Sequence, residues 1–132
     1  VQLGTSGILT AQCTGTLVLY FNDDTSDSIA AFGNNSGSYT VTINGVTTNV
    51  QAFSDGGTIP GVAVGMVTNG LTYTYSAGGT CSWNAIDCPF ADCGADANGN
   101  PTNGMVWSCY SVNTTNLICP AAKCFSLVGK IQ

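Results

Sequence analysis

Asn22-Asp23-Asp24 and Asn34-Asn35-Ser36 place carboxylate and amide oxygens on both sides of one short connection. Oxygen is the donor that hard cations select, and Ca²⁺ takes roughly six to eight such ligands from carboxylates, Asn carbonyls and loop backbone. Asp23, Asp24, Asn34 and Asn35 are therefore the candidate metal ligands. Asp and Asn also build ordinary turns, and the spacing by itself serves either purpose. Asp96-x-Asn98-x-Asn100 repeats the alternating oxygens. There Pro101 stands where a calcium loop carries glycine, and no Glu follows. A polar turn is the expectation at that second place.

The chain lacks His, Glu and Arg altogether. Without His, the usual Ser-His and Cys-His nucleophile systems and the commonest zinc ligand are missing. No Gly-Lys-Ser/Thr loop cradles phosphate. Catalysis is not expected, and no catalytic residue is assigned. Seven cysteines in 132 residues point to an oxidising, extracellular setting, because cytosolic thiols are kept reduced. They lack two Cys-x-x-Cys knuckles, so disulfides are expected rather than zinc. Any six cysteines allow fifteen pairings. Closeness in sequence favours Cys88–Cys93 and Cys119–Cys124, then Cys81–Cys109, leaving Cys13 free or intermolecular. Asn34-Asn35-Ser36 and Asn113-Thr114-Thr115 both match the glycosylation sequon. A metal would compete at Asn34, so Asn113 is the expected acceptor.

Charge excludes further classes. Charged residues are 7% of the chain and the net charge is -5, which leaves no Lys/Arg footprint for nucleic acid or for anionic membranes. No apolar run approaches the roughly 18 residues of a membrane helix, so no membrane insertion is expected. An uncharged Gly, Ser, Thr and Asn surface is a habit of surface-layer, fimbrial and sugar-binding proteins.

The elements that must position these residues read as β-strands. Thr16–Phe21 is an apolar run, and Ser38–Ile43 alternates polar and apolar, the period of a half-buried strand. Asn44-Gly45 then signals a hairpin into 46–50. Residues 62–67 and 71–75, around Asn69-Gly70, read as a second hairpin. Stretches 105–112 and 124–128 supply later strands, and 78–104 reads as a loop needing disulfide bracing. No helical period with caps appears. The expected fold is one domain over 1–132, all-β, an antiparallel β-sandwich braced by disulfides.

Two segments carry a family resemblance. Tyr20-Phe21-Asn22-Asp23 with Phe32–Ile43, and Leu117-Ile118-Cys119 with Cys124 and Leu127–Ile131, resemble the LecA-type calcium-dependent, galactose-binding bacterial lectins. The resemblance implies a jelly-roll or galactose-binding-like sandwich that holds galactose through calcium. It implies Asp23 (or Asp24), Asn34 and Asn35 as metal ligands, with Asp23, Asn34 and Asn35 touching sugar. Ala31 falls near the place of the family's loop Thr, and Val112 and Thr115 stand where it has His and Gln. The segment order is also reversed, as in a circularly permuted or strand-exchanged domain. Donated strands satisfy open sheet edges and, joined head to tail, do not close.

The leading expectation is a non-catalytic extracellular structural subunit, a fibre, fimbria-like filament or surface layer of copies of itself, with a lectin-like calcium site. The alternative is a calcium-dependent carbohydrate-binding module whose partners are glycans.

Overall fold

The computed structural model describes residues 1–23, 33, 35–53, 61–82, 94–102 and 117–132. Their regular structure is antiparallel β-sheet throughout. The strands are β1 (Ser6–Thr10), β2 (Gly15–Phe21), β3 (Ser36–Ile43), β4 (Val46–Gln51), β5 (Val62–Val67), β6 (Thr72–Ser82), β7 (Gly94–Ala95) and β8 (Leu127–Ile131). A larger sheet runs β1-β6-β3-β4, with β7 also paired to β6, and a smaller one runs β5-β2-β8.

Local sequence explains most strands. The apolar run of β2 is the centre of the smaller sheet, with Leu17, Leu19 and Phe21 all buried. In β3, Tyr39 and Val41 are wholly buried while Thr40 is exposed. The Asn44-Gly45 turn has φ values of 47° and 83°, the double left-handed conformation of a two-residue type I′ hairpin. Leu17, Leu19, Phe21 and Leu127 of the smaller sheet share one core cluster with Tyr39, Val41, Val50 and Cys81 of the larger. Burial of their apolar surface is the main favourable term holding the two sheets together.

Three expectations need correction. Residues 62–67 and 71–75 do not form a hairpin. β5 pairs with β2, whereas β6 pairs with β1 and β3. The turn closes on itself through Leu71 N–H to Thr68 O at 3.0 Å, but its central N–H groups bond elsewhere: Gly70 N–H donates to Ala11 O at 2.8 Å and Asn69 N–H to Thr14 Oγ1 at 3.0 Å. That turn is therefore tied to the β1–β2 connection and carries the chain from one sheet to the other. Residues 78–82 are not loop but the end of β6, in register with β3 from Thr40↔Gly78 to Ser36↔Ser82. Glycine permits it at Gly79, where φ is 102° and a Cβ would stand 2.5 Å from Ser38 O. The last strand lies at Leu127–Ile131, later than expected.

The cysteines differ as well. Cys81 and Cys119 are free thiols, so neither Cys81–Cys109 nor Cys119–Cys124 forms. Cys81 is wholly buried in β6, against Tyr39, where its side chain is enclosed by the core. Cys124 is disulfide-bonded, with a partner outside the described residues. Cys13 is free and exposed. Cys88, Cys93, Cys109, Asn113 and the strand expected at 105–112 lie outside the described residues.

Candidate metal site

The C-terminal ends of β2 and β4 and the N-terminal end of β3 meet at one end of the molecule. Asp23 follows β2 and Asn35 precedes β3. Although the two strands lie in different sheets, the side chains touch. Asn35 Nδ2 donates to Asp23 Oδ2 at 2.8 Å and to Ala52 O at 3.3 Å. Both residues are buried, with exposures of 3% for Asn35 and 8% for Asp23.

These contacts fix the amide's orientation. Its NH2 faces a carboxylate and a carbonyl, both acceptors, and flipping it would set oxygen against oxygen. Asn35 Oδ1 therefore points the other way, and there it is buried with no hydrogen-bond partner. Ser36 Oγ is likewise buried without a partner. A buried acceptor left unpaired costs about 1–3 kcal/mol, so the orphan Asn35 Oδ1, on the side of the amide turned away from the Asp23 carboxylate, is a place where a cation fits. Ser82, wholly buried, lies opposite Ser36 in the β3–β6 register. Sequence reasoning did not select Ser36, Ser82 or the Ala52 carbonyl as site residues. Ser36 belongs to the Asn34-Asn35-Ser36 cluster and its sequon but is not among the chosen ligands, and the other two are placed by strand register alone. Asp24 and Asn34 lie outside the described residues. Among the described residues, no three of His, Cys, Asp and Glu come together. Any cation here would rest largely on amide, hydroxyl and main-chain oxygen.

Asn22, next to Asp23, does structural work. It is wholly buried. Its Nδ2 donates to Cys119 O at 3.2 Å and Lys123 O at 2.9 Å, and its Oδ1 accepts Cys119 N–H at 2.9 Å. Its carbonyl accepts Phe125 N–H at 2.7 Å. Phe125 has φ 60°, uncommon for a bulky residue. Its carbonyl accepts the Tyr39 hydroxyl at 2.6 Å and its ring stacks on Phe21 at 5.9 Å.

The second oxygen cluster is a turn, as expected. Asp96 Oδ1 accepts the N–H groups of Asn98 and Asn100, each at 2.9 Å. Asn98 Oδ1 accepts Thr5 N–H, and Asn100 Oδ1 accepts Lys123 Nζ. All three side chains are engaged in holding this turn and its neighbours.

Among the described residues, the most deeply buried titratable groups are poorly suited to chemistry. Burial pushes the Cys81 thiol up to about 12, against a smaller opposite pull from its hydrogen bond with Tyr39. Burial, then the Cys81 charge, raises the Tyr39 hydroxyl well above its usual 10. Both stay protonated and inert near neutrality.

Comparison with protein-family models, curated proteins and solved structures gives no match.

Proposed function

We propose that the chain is a non-catalytic extracellular structural subunit, assembled head to tail from copies of itself. In this reading it is a β-sandwich, jelly-roll-like, braced by disulfides, with Ca²⁺ tying the ends of β2 and β3. Asp23, Asp24, Asn34 and Asn35 hold the ion. The observation that carries the calcium site is the buried Asn35 amide, whose NH2 contacts the Asp23 carboxylate while its Oδ1 is left without a hydrogen-bond partner. Non-catalysis is supported by the absence of His, Glu and Arg, and the extracellular setting by the seven cysteines. Asn113 is the proposed glycan acceptor. β8 pairs with β2 within one chain, and Gly129 N–H donates to Val1 O at 2.8 Å. These are the contacts that a permuted order closed within one chain requires.

The calcium test is thermal unfolding with calcium or with chelator. At a calcium concentration about 100 times Kd, binding contributes about 2.7 kcal/mol, a rise in melting temperature of roughly 10 °C. Asp23→Ala abolishes that rise. Identical melting of the wild type with and without chelator refutes the site. A strictly monomeric chain under oxidising, calcium-replete conditions, seen by light scattering and negative-stain imaging, refutes the assembly.

A second reading, a calcium-dependent carbohydrate-binding module, is favoured by the Asp23–Asn35 contact, because the resemblance assigns both residues to sugar as well as metal. Chelator-sensitive glycan-array binding supports it.

A further inference from the structure

The larger sheet ends on two open edges that complement each other. Its path β1-β6-β3-β4 contains four strands, each antiparallel to the next, so β1 and β4 run in opposite directions. Among the described residues, neither outer edge is paired to another strand.

The hydrogen bonds say which main-chain groups face outward. Ala77 N–H donates to Thr5 O and Ala11 N–H to Leu71 O, so in β1 the odd-numbered residues bond to β6. Ser6, Ile8 and Thr10 therefore turn their N–H and C=O groups toward the open edge. Ala52 N–H donates to Gly37 O, so in β4 the even-numbered residues bond to β3. Thr47, Asn49 and Gln51 face outward there. Each edge thus offers three consecutive outward residues.

We infer that β1 of one copy pairs with β4 of the next, extending the larger sheet from molecule to molecule. The inference rests on the assembly reading above and names its surface. A second copy brought alongside by simple translation presents β4 antiparallel to β1, because the two edges run oppositely. The aligned pairs are Ser6 with Gln51, Ile8 with Asn49, and Thr10 with Thr47, each exchanging two main-chain bonds. The pleat agrees. All six residues are exposed, so their side chains lie on the outer face, while buried Leu9 and Val50 both point to the core side.

Among the described residues, nothing on these edges opposes the contact. Natural edges are blunted by charge, proline or bulges, yet Ser6–Thr10 and Val46–Gln51 contain no charged residue and no proline. β3 and β6 between them are also uncharged. The net charge of -5 is therefore carried off the sheet and does not set copy against copy along it. Ile8, 70% exposed at the middle of β1, is covered in the pair. Because the two surfaces differ, the contact is heterologous and does not close upon itself unless the rotation between copies happens to make a ring.

The test places lysine on one edge at a time, Ile8→Lys on β1 and Asn49→Lys on β4. Both positions are solvent-exposed, and unchanged circular dichroism and melting confirm folding. Sedimentation velocity in calcium and negative-stain imaging then read size. Each variant alone should need about tenfold or more protein to reach half-assembly. An equimolar mixture should form dimers and nothing larger, since only one intact β1 edge can meet one intact β4 edge. If both variants assemble as the wild type does, the edge pairing is wrong and the assembly reading stands. If Ile8→Lys alone still dimerises through β4 with β4, the heterologous pairing is wrong. If the wild type is monomeric, both fall together.

Discussion

Replacing Asn22 with alanine removes the side chain that fastens β2 to the 117–123 segment. Three hydrogen bonds go with it: those to Cys119 O, Lys123 O and Cys119 N–H. Each is worth about 0.5–1.5 kcal/mol net, and an unsatisfied buried group costs more. Asn22 is wholly buried, so water does not readily replace these partners. The sum is about 3 kcal/mol, a large share of the roughly 5–15 kcal/mol that holds a typical domain folded. Urea unfolding followed by tryptophan fluorescence measures it. With a slope of about 1.5 kcal/mol per molar, the midpoint falls by about 2 M with the slope unchanged. Gln12→Ala is the control, since its Nε2 bonds Thr10 O at the surface; it should shift stability by less than about 0.5 kcal/mol. Asn22→Asp sharpens the test. Its carboxylate keeps an acceptor for Cys119 N–H but faces two carbonyls that need donors, so it should destabilise more at neutral pH. It should recover in part below about pH 4, where a protonated carboxyl donates again. A loss under about 0.5 kcal/mol for Asn22→Ala refutes the reasoning.

Alkaline pH should weaken the fold through Cys81 and Tyr39. Because the folded pKa of Cys81 is raised from 9.0 to about 12, its contribution is whole below pH 9 and is lost as pH rises toward 12. The slope is about 1.4 kcal/mol per pH unit, and Tyr39 adds a second slope above its unfolded value of 10. Urea midpoints at pH 8, 10 and 11 check this, with a shallower fall expected for Cys81→Ala; equal falls overturn it. Asn44→Ala should cost about 1–2 kcal/mol, because φ is 47° and Oδ1 accepts Thr74 N–H at 3.0 Å. Asn44→Gly keeps the turn and loses only the side-chain bonds from Thr74 N–H and Thr74 Oγ1, so its thermal melt should lie between those of the wild type and Asn44→Ala.

Where the deciding interaction was local, the sequence was legible. The Asn44-Gly45 hairpin needs only two residues that tolerate positive φ, and the alternation of Ser38–Ile43 needs only one buried face. The Asp96 turn followed from short polar side chains bonding nearby amides. Partner choice was another matter. β5 looked joined to β6 because Asn69-Gly70 is a good turn, yet the turn's donors are taken by Ala11 and Thr14. Gly78 and Gly79 read as loop, but in β6 they lie against β3, where the chain leaves no room for a side chain at Gly79. The Ser6–Thr10 strand was missed because its residues are mostly exposed and alternate weakly.

By itself the sequence determined an antiparallel all-β chain, since strand period and turn chemistry are properties of neighbouring residues. It also determined which oxygens were available for a cation. Only the tertiary structure decided that Asp23 and Asn35, from opposite sheets, would touch, and that Asn35 Oδ1 would be left buried without a partner. It likewise decided that Cys81 and Cys119 would stay free, and that β1 and β4 would end the larger sheet running in opposite directions. These are outcomes of register and of packing between segments far apart in the chain, set by which buried groups find partners, and no local pattern encodes them.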